Sequence, residues 1–212
     1  MLDLTKERAR IFRITHINNI AWLLEHGVQC RSSSLVDPNY VEIGNPDLID
    51  KRRRRAVPIA PGGTLSDYVP FYFTPFSPML YNIKTGYQGI RQRSMSEIAI
   101  LVGSLHRLVE RGVPFVFTDR HAYLQAAVFS SSLAELANLD WKSLRARDFK
   151  RDANDLSRFE RYQAEALIHQ QMPVDALDGI VCYGPAQVAT LGAAIANGGL
   201  TIPVVAKAGW YF

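Results

Sequence analysis

Three polar features of this sequence could take part in chemistry: Glu165, the block Lys51–Arg55, and the pair Thr15-His16 at the end of the first predicted strand. Glu165 lies in the apolar, strand-like segment Gln163-Ala-Glu-Ala-Leu-Ile168, where alternation puts it on one face with Gln163 and Leu167. A glutamate in such a half-buried segment needs either a charged partner or a function. The second feature is Lys51–Arg55, five consecutive cations that must face water or a polyanion. The sequence thus offers one buried carboxylate and one anion-binding segment.

The common metal-binding and phosphate-binding motifs are missing. The sequence contains no Gly-x-Gly-x-x-Gly, P-loop, His-Glu-x-x-His, Cys-x-x-Cys or Gly-x-Ser-x-Gly pattern. Its five histidines show no spacing typical of metal ligands. A metalloenzyme and a P-loop hydrolase are therefore disfavoured, and we expect no bound metal.

Composition bounds the size and the location of the protein. With 212 residues, 48% apolar and 21% charged, we expect a single globular domain over 1–212. Cys30 and Cys182 lie too far apart for a paired-thiol motif, and Asp3 and Lys6 interrupt any N-terminal signal peptide. We therefore expect a cytoplasmic protein. The uncharged stretch 179–206 is long enough to span a bilayer, but its Gly and Pro residues indicate a core strand, helix and strand instead.

The elements that must position the polar residues follow from hydrophobic periodicity. We predict strands at 11–14, 68–73, 98–102, 116–118, 163–169, 179–183 and 202–206. We predict helices at 20–26, 103–111, 121–129, 132–137 and 185–196. Pro70 favours an edge position or the start of its strand. We predict a long loop, functional or disordered, over residues 36–68 and a charged surface segment over 142–161. Because strands and helices do not alternate strictly, the class is α+β with two sheets plausible.

Four segments, in order, resemble one protein family. They are Ile14-Thr-His-Ile-Asn-Asn19, the stretch from Pro61 to Tyr81 with Asp67-Tyr-Val-Pro-Phe-Tyr-Phe73, Phe117-Thr-Asp-Arg-His-Ala122, and Gln163-Ala-Glu-Ala-Leu-Ile168. From about residue 10 to the C-terminus, the chain resembles the DarT family of DNA ADP-ribosyltransferases of bacterial toxin–antitoxin systems. The resemblance implies an ADP-ribosyltransferase fold, with two small sheets flanked by helices around an NAD cleft. It also implies a toxin that moves ADP-ribose from NAD onto a thymine of single-stranded DNA, releasing nicotinamide, and a macrodomain antitoxin as partner.

The resemblance also implies site residues. Glu165 matches the catalytic glutamate, whose carboxylate would stabilise the positive charge that develops on the ribose. Alignment on Val57-Pro58 places the required arginine at Arg52, with Arg54 or Arg55 as alternatives. That arginine could clamp the NAD diphosphate or stabilise the thymine as it loses a proton. The residues expected to line the NAD cleft are Thr15, His16, Asn19, Arg52 and Tyr72.

DNA contacts are expected outside the cleft. The candidates are Arg54, Arg55, Tyr81, Arg91, Arg93 and His121, and segment 147–161 is positioned like the substrate-selecting loop of ADP-ribosyltransferases. Two alternatives stay open at this point. The same fold could modify guanine, RNA or protein, or the chain could be a non-catalytic nucleic-acid-binding module.

Overall fold

Ten strands and seven helices form the fold in a computed structural model, which describes residues 2–212 and, for Gln88, only the backbone. The strands are β1 (Arg10–His16), β2 (Val28–Gln29), β3 (Tyr68–Tyr72), β4 (Ile98–Ser104), β5 (Phe115–Thr118), β6 (Phe129–Ser130), β7 (Glu165–His169), β8 (Gln171–Met172), β9 (Leu177–Cys182) and β10 (Val204–Ala206). The helices are α1 (Ile20–His26), α2 (Pro46–Arg52), α3 (Pro78–Thr85), α4 (Leu105–Glu110), α5 (Trp141–Ala146), α6 (Arg158–Arg161) and α7 (Pro185–Asn197).

Eight of the strands hydrogen-bond in the order β10-β9-β4-β1-β3-β7-β5-β6, and β2 pairs with β8 in a second, two-stranded sheet. The ladder between β1 and β4 runs from Arg10↔Ser104 to His16↔Ile98, whereas β1 meets β3 at the pair Phe12↔Tyr72. The large sheet therefore consists of two four-stranded halves joined at one point. The α+β class and the two flanked sheets are confirmed, although one sheet is larger than expected.

Hydrophobic burial accounts for the elements that the sequence predicted correctly. The apolar residues of β4 from Ile98 to Val102 are all buried, and α1 turns Ile20, Leu23 and Leu24 into the same core. Gly27 ends α1 with a φ of 73°, a conformation that glycine adopts without steric cost. The uncharged stretch becomes β9, α7 and β10, as predicted. Within residues 2–212, no helix is long and apolar enough to cross a membrane.

Three predicted elements differ from the structure. The strand with Pro70, β3, lies inside the sheet between β1 and β7. Proline has no N–H to donate, but β1 pairs with β3 only at Tyr72, so the ladder on that side does not require a donor at Pro70. The helix predicted over 121–129 is a series of turns that leads into β6, because the Asp119 carboxylate accepts from the Val128 N–H and closes the segment as a loop. The region 36–68 is not entirely irregular, since it contains α2.

Candidate active site

Glu165 is the first residue of β7 and lies directly across from Tyr72 of β3. Its side chain is 2% exposed. One carboxylate oxygen, Oε2, accepts a hydrogen bond from Arg52 Nη1 at 2.8 Å, and Oε1 accepts the Ala122 N–H at 3.1 Å. The buried carboxylate therefore has a charged partner, as its position among apolar neighbours required.

Arg52 reaches Glu165 from the last turn of α2. This helix begins where the Asn45 side chain accepts the N–H groups of Asp47 and Leu48, with Pro46 at the first helical position. The Arg52 side chain is 12% exposed, and its Nη2 is buried with no hydrogen-bond partner among the described residues. One nitrogen of the guanidinium thus holds Glu165, while a second is buried without a partner among the described residues.

His121 is the third ionisable side chain at this point. Its Nδ1 lies 3.3 Å from Glu165 Oε1 and accepts the Tyr123 N–H at 3.2 Å. Burial lowers the pKa of His121 below 6.5, and Arg52 lowers it further, while Glu165 opposes both effects. We therefore assign a neutral ring at pH 7, with Nδ1 as acceptor and the proton on Nε2.

Electrostatics keep Glu165 ionised despite its burial. Desolvation on its own raises the pKa of a buried carboxyl group, but here the charge of Arg52 and the hydrogen bond from the Ala122 N–H outweigh desolvation. The net pKa of Glu165 lies below its ordinary value of 4.5. The site consequently presents a negative charge in a buried position at the wall of a cavity.

A cavity opens in front of this cluster. Its apolar wall includes Trp22, Leu23, Val28, Ile43 and Leu48, and its polar end is formed by Arg13, Arg52, Tyr72, His121 and Glu165. The pKa of Tyr72 is raised by burial and by the Glu165 charge, against the opposing effect of Arg52 and Arg13. Tyr72 lines the cavity near the carboxylate and two guanidinium groups, and its expected contact with NAD stays a prediction.

The three polar residues of the first motif do not line this cavity. Asn19 donates from Nδ2 to Thr15 Oγ1 and to Val41 O, and its Oδ1 accepts the Val41 N–H. His16 accepts the Asn18 N–H and points its Nε2 toward Glu97 Oε1 at 3.5 Å. Thr15, His16 and Asn19 are therefore not among the residues that line this cavity, and their expected contact with NAD stays a prediction. Their polar groups are used to hold the loop that carries Val41 and to pair with Glu97.

The arginines at 53–55, in the basic segment Lys51–Arg55, differ in their exposure and in their partners. Arg53 and Arg54 are mostly exposed and lie 3.8 Å and 3.5 Å from the Asp50 carboxylate. Arg55 instead donates to Leu124 O and Gln125 Oε1 and lies over the Phe129 ring. Arg54 is therefore available for DNA phosphate, whereas Arg55 ties the block to the segment that carries His121.

The remaining DNA candidates also differ in exposure. Arg91 is exposed, and Tyr81 is 40% exposed against the rings of Phe149 and Phe212. The Arg93 side chain is only 9% exposed and lies 3.5 Å from Glu97. His121, which we expected at the DNA surface, lies in the cavity beside Glu165. Because Arg93 and His121 are mostly buried, their side chains contribute little to the solvent-exposed surface.

Two features of the site were not predicted. Arg13 of β1 lines the cavity, although its alternation with apolar neighbours made it look like an ordinary strand residue. The capping pair Asn45-Pro46 would have indicated α2, the helix that delivers Arg52. Among residues 2–212, no group of three or more His, Cys, Asp or Glu side chains could hold a metal ion.

Known structures match this fold over nearly the whole chain. The DarT of Thermus sp. 2.9 in complex with ADP-ribosylated ssDNA is 33% identical, with a TM-score of 0.89 and coverage of 97% of both chains. The same protein in complex with NAD+ matches with a TM-score of 0.82, covering 97% of this chain and 98% of that one.

Sequence comparison agrees with the structural matches. A DNA ADP-ribosyl transferase of Escherichia coli O127:H6 (strain E2348/69 / EPEC) is 49% identical over 210 residues, covering 99% of this chain and 96% of the relative. These matches identify the class as DNA ADP-ribosyltransferases. Residues 12–212 match the model of the ssDNA thymidine ADP-ribosyltransferase family DarT, and the chain belongs to that family.

The family confirms the expected reaction, in which ADP-ribose moves from NAD onto thymidine in single-stranded DNA. NAD is the co-substrate. The residues present fit that substrate, because the cations Arg13 and Arg52 and the carboxylate of Glu165 line one cavity. The roles of the individual site residues stay predictions.

Proposed function

We propose that Glu165 and Arg52 are the catalytic pair of this ADP-ribosyl transfer. The observation that carries the proposal is their 2.8 Å ion pair in a buried position at the polar end of the cavity. Cleavage of the bond between nicotinamide and ribose builds positive charge on the ribose. An ionised carboxylate fixed in a water-poor site stabilises that charge more strongly in the transition state than in the substrate.

Arg52 has two tasks in this scheme. Its Nη1 holds the Glu165 carboxylate ionised and oriented, and its positive charge lies at the wall of the cavity beside the reacting centre. Arginine stays protonated in proteins and is therefore a poor general base. Arg52 consequently stabilises the negative charge that thymine acquires as N3 loses its proton to solvent, while neutral nicotinamide leaves from the ribose carbon that N3 attacks.

The biological role follows from the product. ADP-ribose on thymine N3 occupies a position needed for base pairing, so the modification is toxic to a cell that replicates its DNA. A cell that holds this enzyme needs a second protein that removes the adduct, and the family resemblance supplies a macrodomain antitoxin for that task. We place the reaction in the cytoplasm, where NAD and unpaired chromosomal DNA meet and where the free thiols of Cys30 and Cys182 stay reduced.

Incubation with labelled NAD and a panel of oligonucleotides tests this function. Single strands that contain thymine should be modified, and mass spectrometry should place ADP-ribose on the thymine ring. Duplexes should react poorly unless the thymine is mismatched or looped out, because freeing a paired base costs a few kcal/mol. An adduct on guanine, RNA or protein with unmodified thymine strands would contradict the assigned acceptor.

A further inference from the structure

We propose that Arg55 is a positioning residue for the transfer reaction. It fastens the end of α2, which carries Arg52, to the loop of residues 119–128, which carries His121, and thereby fixes the groups that contact Glu165 from two sides. The proposal rests on the proposed function, because these contacts control the rate only if Arg52 and Glu165 are the catalytic pair.

The contacts of Glu165 come from two separate segments. Arg52 Nη1 donates to Oε2 at 2.8 Å, whereas the Ala122 N–H at 3.1 Å and His121 Nδ1 at 3.3 Å lie against Oε1. Arg52 is the last residue of α2, and the 119–128 loop is a series of turns. Because no residue of α2 is buried, apolar burial contributes little to holding this helix against the loop. Polar contacts must do so instead.

Arg55 bridges the two segments. Its Nη1 donates to Gln125 Oε1 at 2.8 Å, and its Nη2 donates to Leu124 O at 3.0 Å. Its guanidinium carbon lies 5.9 Å from the centre of the Phe129 ring, just beyond the loop. At the other end, the Arg55 N–H donates to Arg52 O at 3.2 Å, which joins Arg55 to the last turn of α2. A planar guanidinium that bonds two acceptors holds both in one geometry.

A hydrogen bond within the loop carries this anchor to the active site. The Leu124 N–H donates to His121 O at 3.0 Å, so the residue that Arg55 holds through its carbonyl closes a turn on His121 through its N–H. Ala122, whose N–H bonds Glu165, lies within that turn. A shift of Leu124 would therefore move both loop groups that contact the Glu165 carboxylate.

The use of its donors separates Arg55 from its neighbours. Arg53 and Arg54 are exposed and lie 3.8 Å and 3.5 Å from the Asp50 carboxylate. Arg55 is partly buried, and both of its terminal nitrogens donate to the 119–128 loop. A DNA phosphate would compete with these two hydrogen bonds, so the structure favours a role for Arg55 within the protein.

Steady-state kinetics with NAD and one thymine-containing oligonucleotide test this role. Arg55→Met keeps the aliphatic stem but removes both donors, and kcat should fall at least about fivefold because the reacting groups are less well oriented. KM for NAD and KM for the oligonucleotide should each change by less than about twofold, since the lost orientation matters most in the transition state. Arg53→Met is the matched control, because it removes the same group from an exposed neighbour, and it should keep the wild-type kcat.

Substitution of the loop partner tests the contact itself. Gln125 is exposed, so Gln125→Leu leaves the core intact, and kcat should fall by a smaller factor than in Arg55→Met. The double variant should lose no more than Arg55→Met alone, because the two residues share one interaction. Gln125→Glu keeps an acceptor for Arg55 and should keep kcat. Losses that multiply in the double variant would show that the two residues act independently and would overturn the proposal.

Two further results would overturn it. One is a wild-type kcat in folded Arg55→Met protein, and the other is a raised KM for the oligonucleotide with unchanged kcat, which would assign Arg55 to a DNA phosphate. If Arg55→Met does not fold, Arg55→Lys and Gln125→Leu replace it, since each weakens one part of the contact. A lowered kcat at unchanged KM in either supports the proposal, and a wild-type kcat in both would overturn it. Failure of the proposed function would look different, because Glu165→Gln protein would then transfer ADP-ribose at the wild-type rate.

Discussion

Two clusters of charged side chains flank the start of β7, and they differ in their contact with water. The active-site cluster consists of Arg52, His121 and Glu165, whose side chains are 12%, 13% and 2% exposed. The loop network joins α5, α6 and the segment between them through Asp140, Asp148, Asp152, Asp155, Arg158 and Arg161. In it, Arg161 and Asp155 are 27% and 38% exposed.

The two clusters use their donors differently. Arg161 directs Nη1 and Nη2 to Asp155 and Nε and Nη2 to Asp140, so its fork is fully used within the protein. Arg52 bonds Glu165 through one nitrogen and keeps another without a partner among the described residues. Charges act strongly in the desolvated cluster and are screened in the exposed one. The exposed network thus uses its donors within the loop, whereas the buried cluster keeps one donor without a partner among the described residues.

The largest loss of transfer activity should follow substitution of Glu165, the carboxylate of the buried cluster. Glu165→Gln preserves the size of the side chain and an acceptor for Arg52, but removes the negative charge that the transition state needs. Transfer should fall at least about 10²-fold, as for other preorganised electrostatic groups. Glu160→Gln is the control, because Glu160 is 41% exposed and its carboxylate lies 3.7 Å from Arg120. Near wild-type transfer by folded Glu165→Gln protein would remove Glu165 from the mechanism.

Substitution of Arg52 and of its neighbour Arg53 compares a mostly buried cation with an exposed one. Arg52→Lys keeps the positive charge but replaces the planar guanidinium that orients the Glu165 carboxylate. The rate of transfer should therefore fall roughly tenfold or more. Arg53→Lys should change little, because Arg53 is 57% exposed and lies 3.8 Å from Asp50. The measurement is initial transfer rate with one oligonucleotide at several NAD concentrations. Equal losses would indicate a general electrostatic patch.

The exposed network should give a smaller effect of another kind. Arg161→Met removes bonds to Asp140 and Asp155, each a partly exposed contact worth up to about 1 kcal/mol. We expect KM for the oligonucleotide to rise by no more than about fivefold, the factor that corresponds to about 1 kcal/mol, with KM for NAD unchanged. A rise in KM for NAD instead would mean that the loop network supports the cavity.

The sequence predicted those elements whose apolar side chains are buried in the core. The apolar runs predicted β1, β4, β9 and α7, since these elements contribute to one core. The helix α2 escaped because none of its residues is buried, so it has little hydrophobic periodicity. The predicted helix at 121–129 was wrong because polar side chains bind the backbone there and compete with helical hydrogen bonds.

The candidate site was predictable only in part for a related reason. A motif places Glu165 on its strand, and alignment selects Arg52, but their contact spans 113 positions in sequence and depends on tertiary structure. The same holds for the contact between His16 and Glu97. These residues are far apart in sequence, and the pairing of β1 with β4 brings them together. Residue type identifies which groups can react, whereas packing decides which of them are left without a partner.

The smallest expected effect is a pH dependence of stability that originates in the buried cluster. Burial holds the pKa of His121 below 6.5, so the folded protein resists its protonation while the unfolded chain accepts the proton near 6.5. As the pH falls below 6.5, the unfolded state therefore binds more protons, and the free energy of unfolding decreases by at most about 1.4 kcal/mol per pH unit.

Glu165 acts in a lower window. Its pKa is depressed below 4.5, so its stabilising contribution is present above 4.5 and is lost as the pH falls further through its folded value. Urea unfolding of wild type and His121→Gln between pH 8 and pH 5 isolates the histidine. The two stability curves should run parallel above pH 7, and the variant should lose less stability on acidification from 6.5 to 5. Parallel curves over the whole range would show that His121 is not held neutral by burial, and the proton assignment at the active site would have to change.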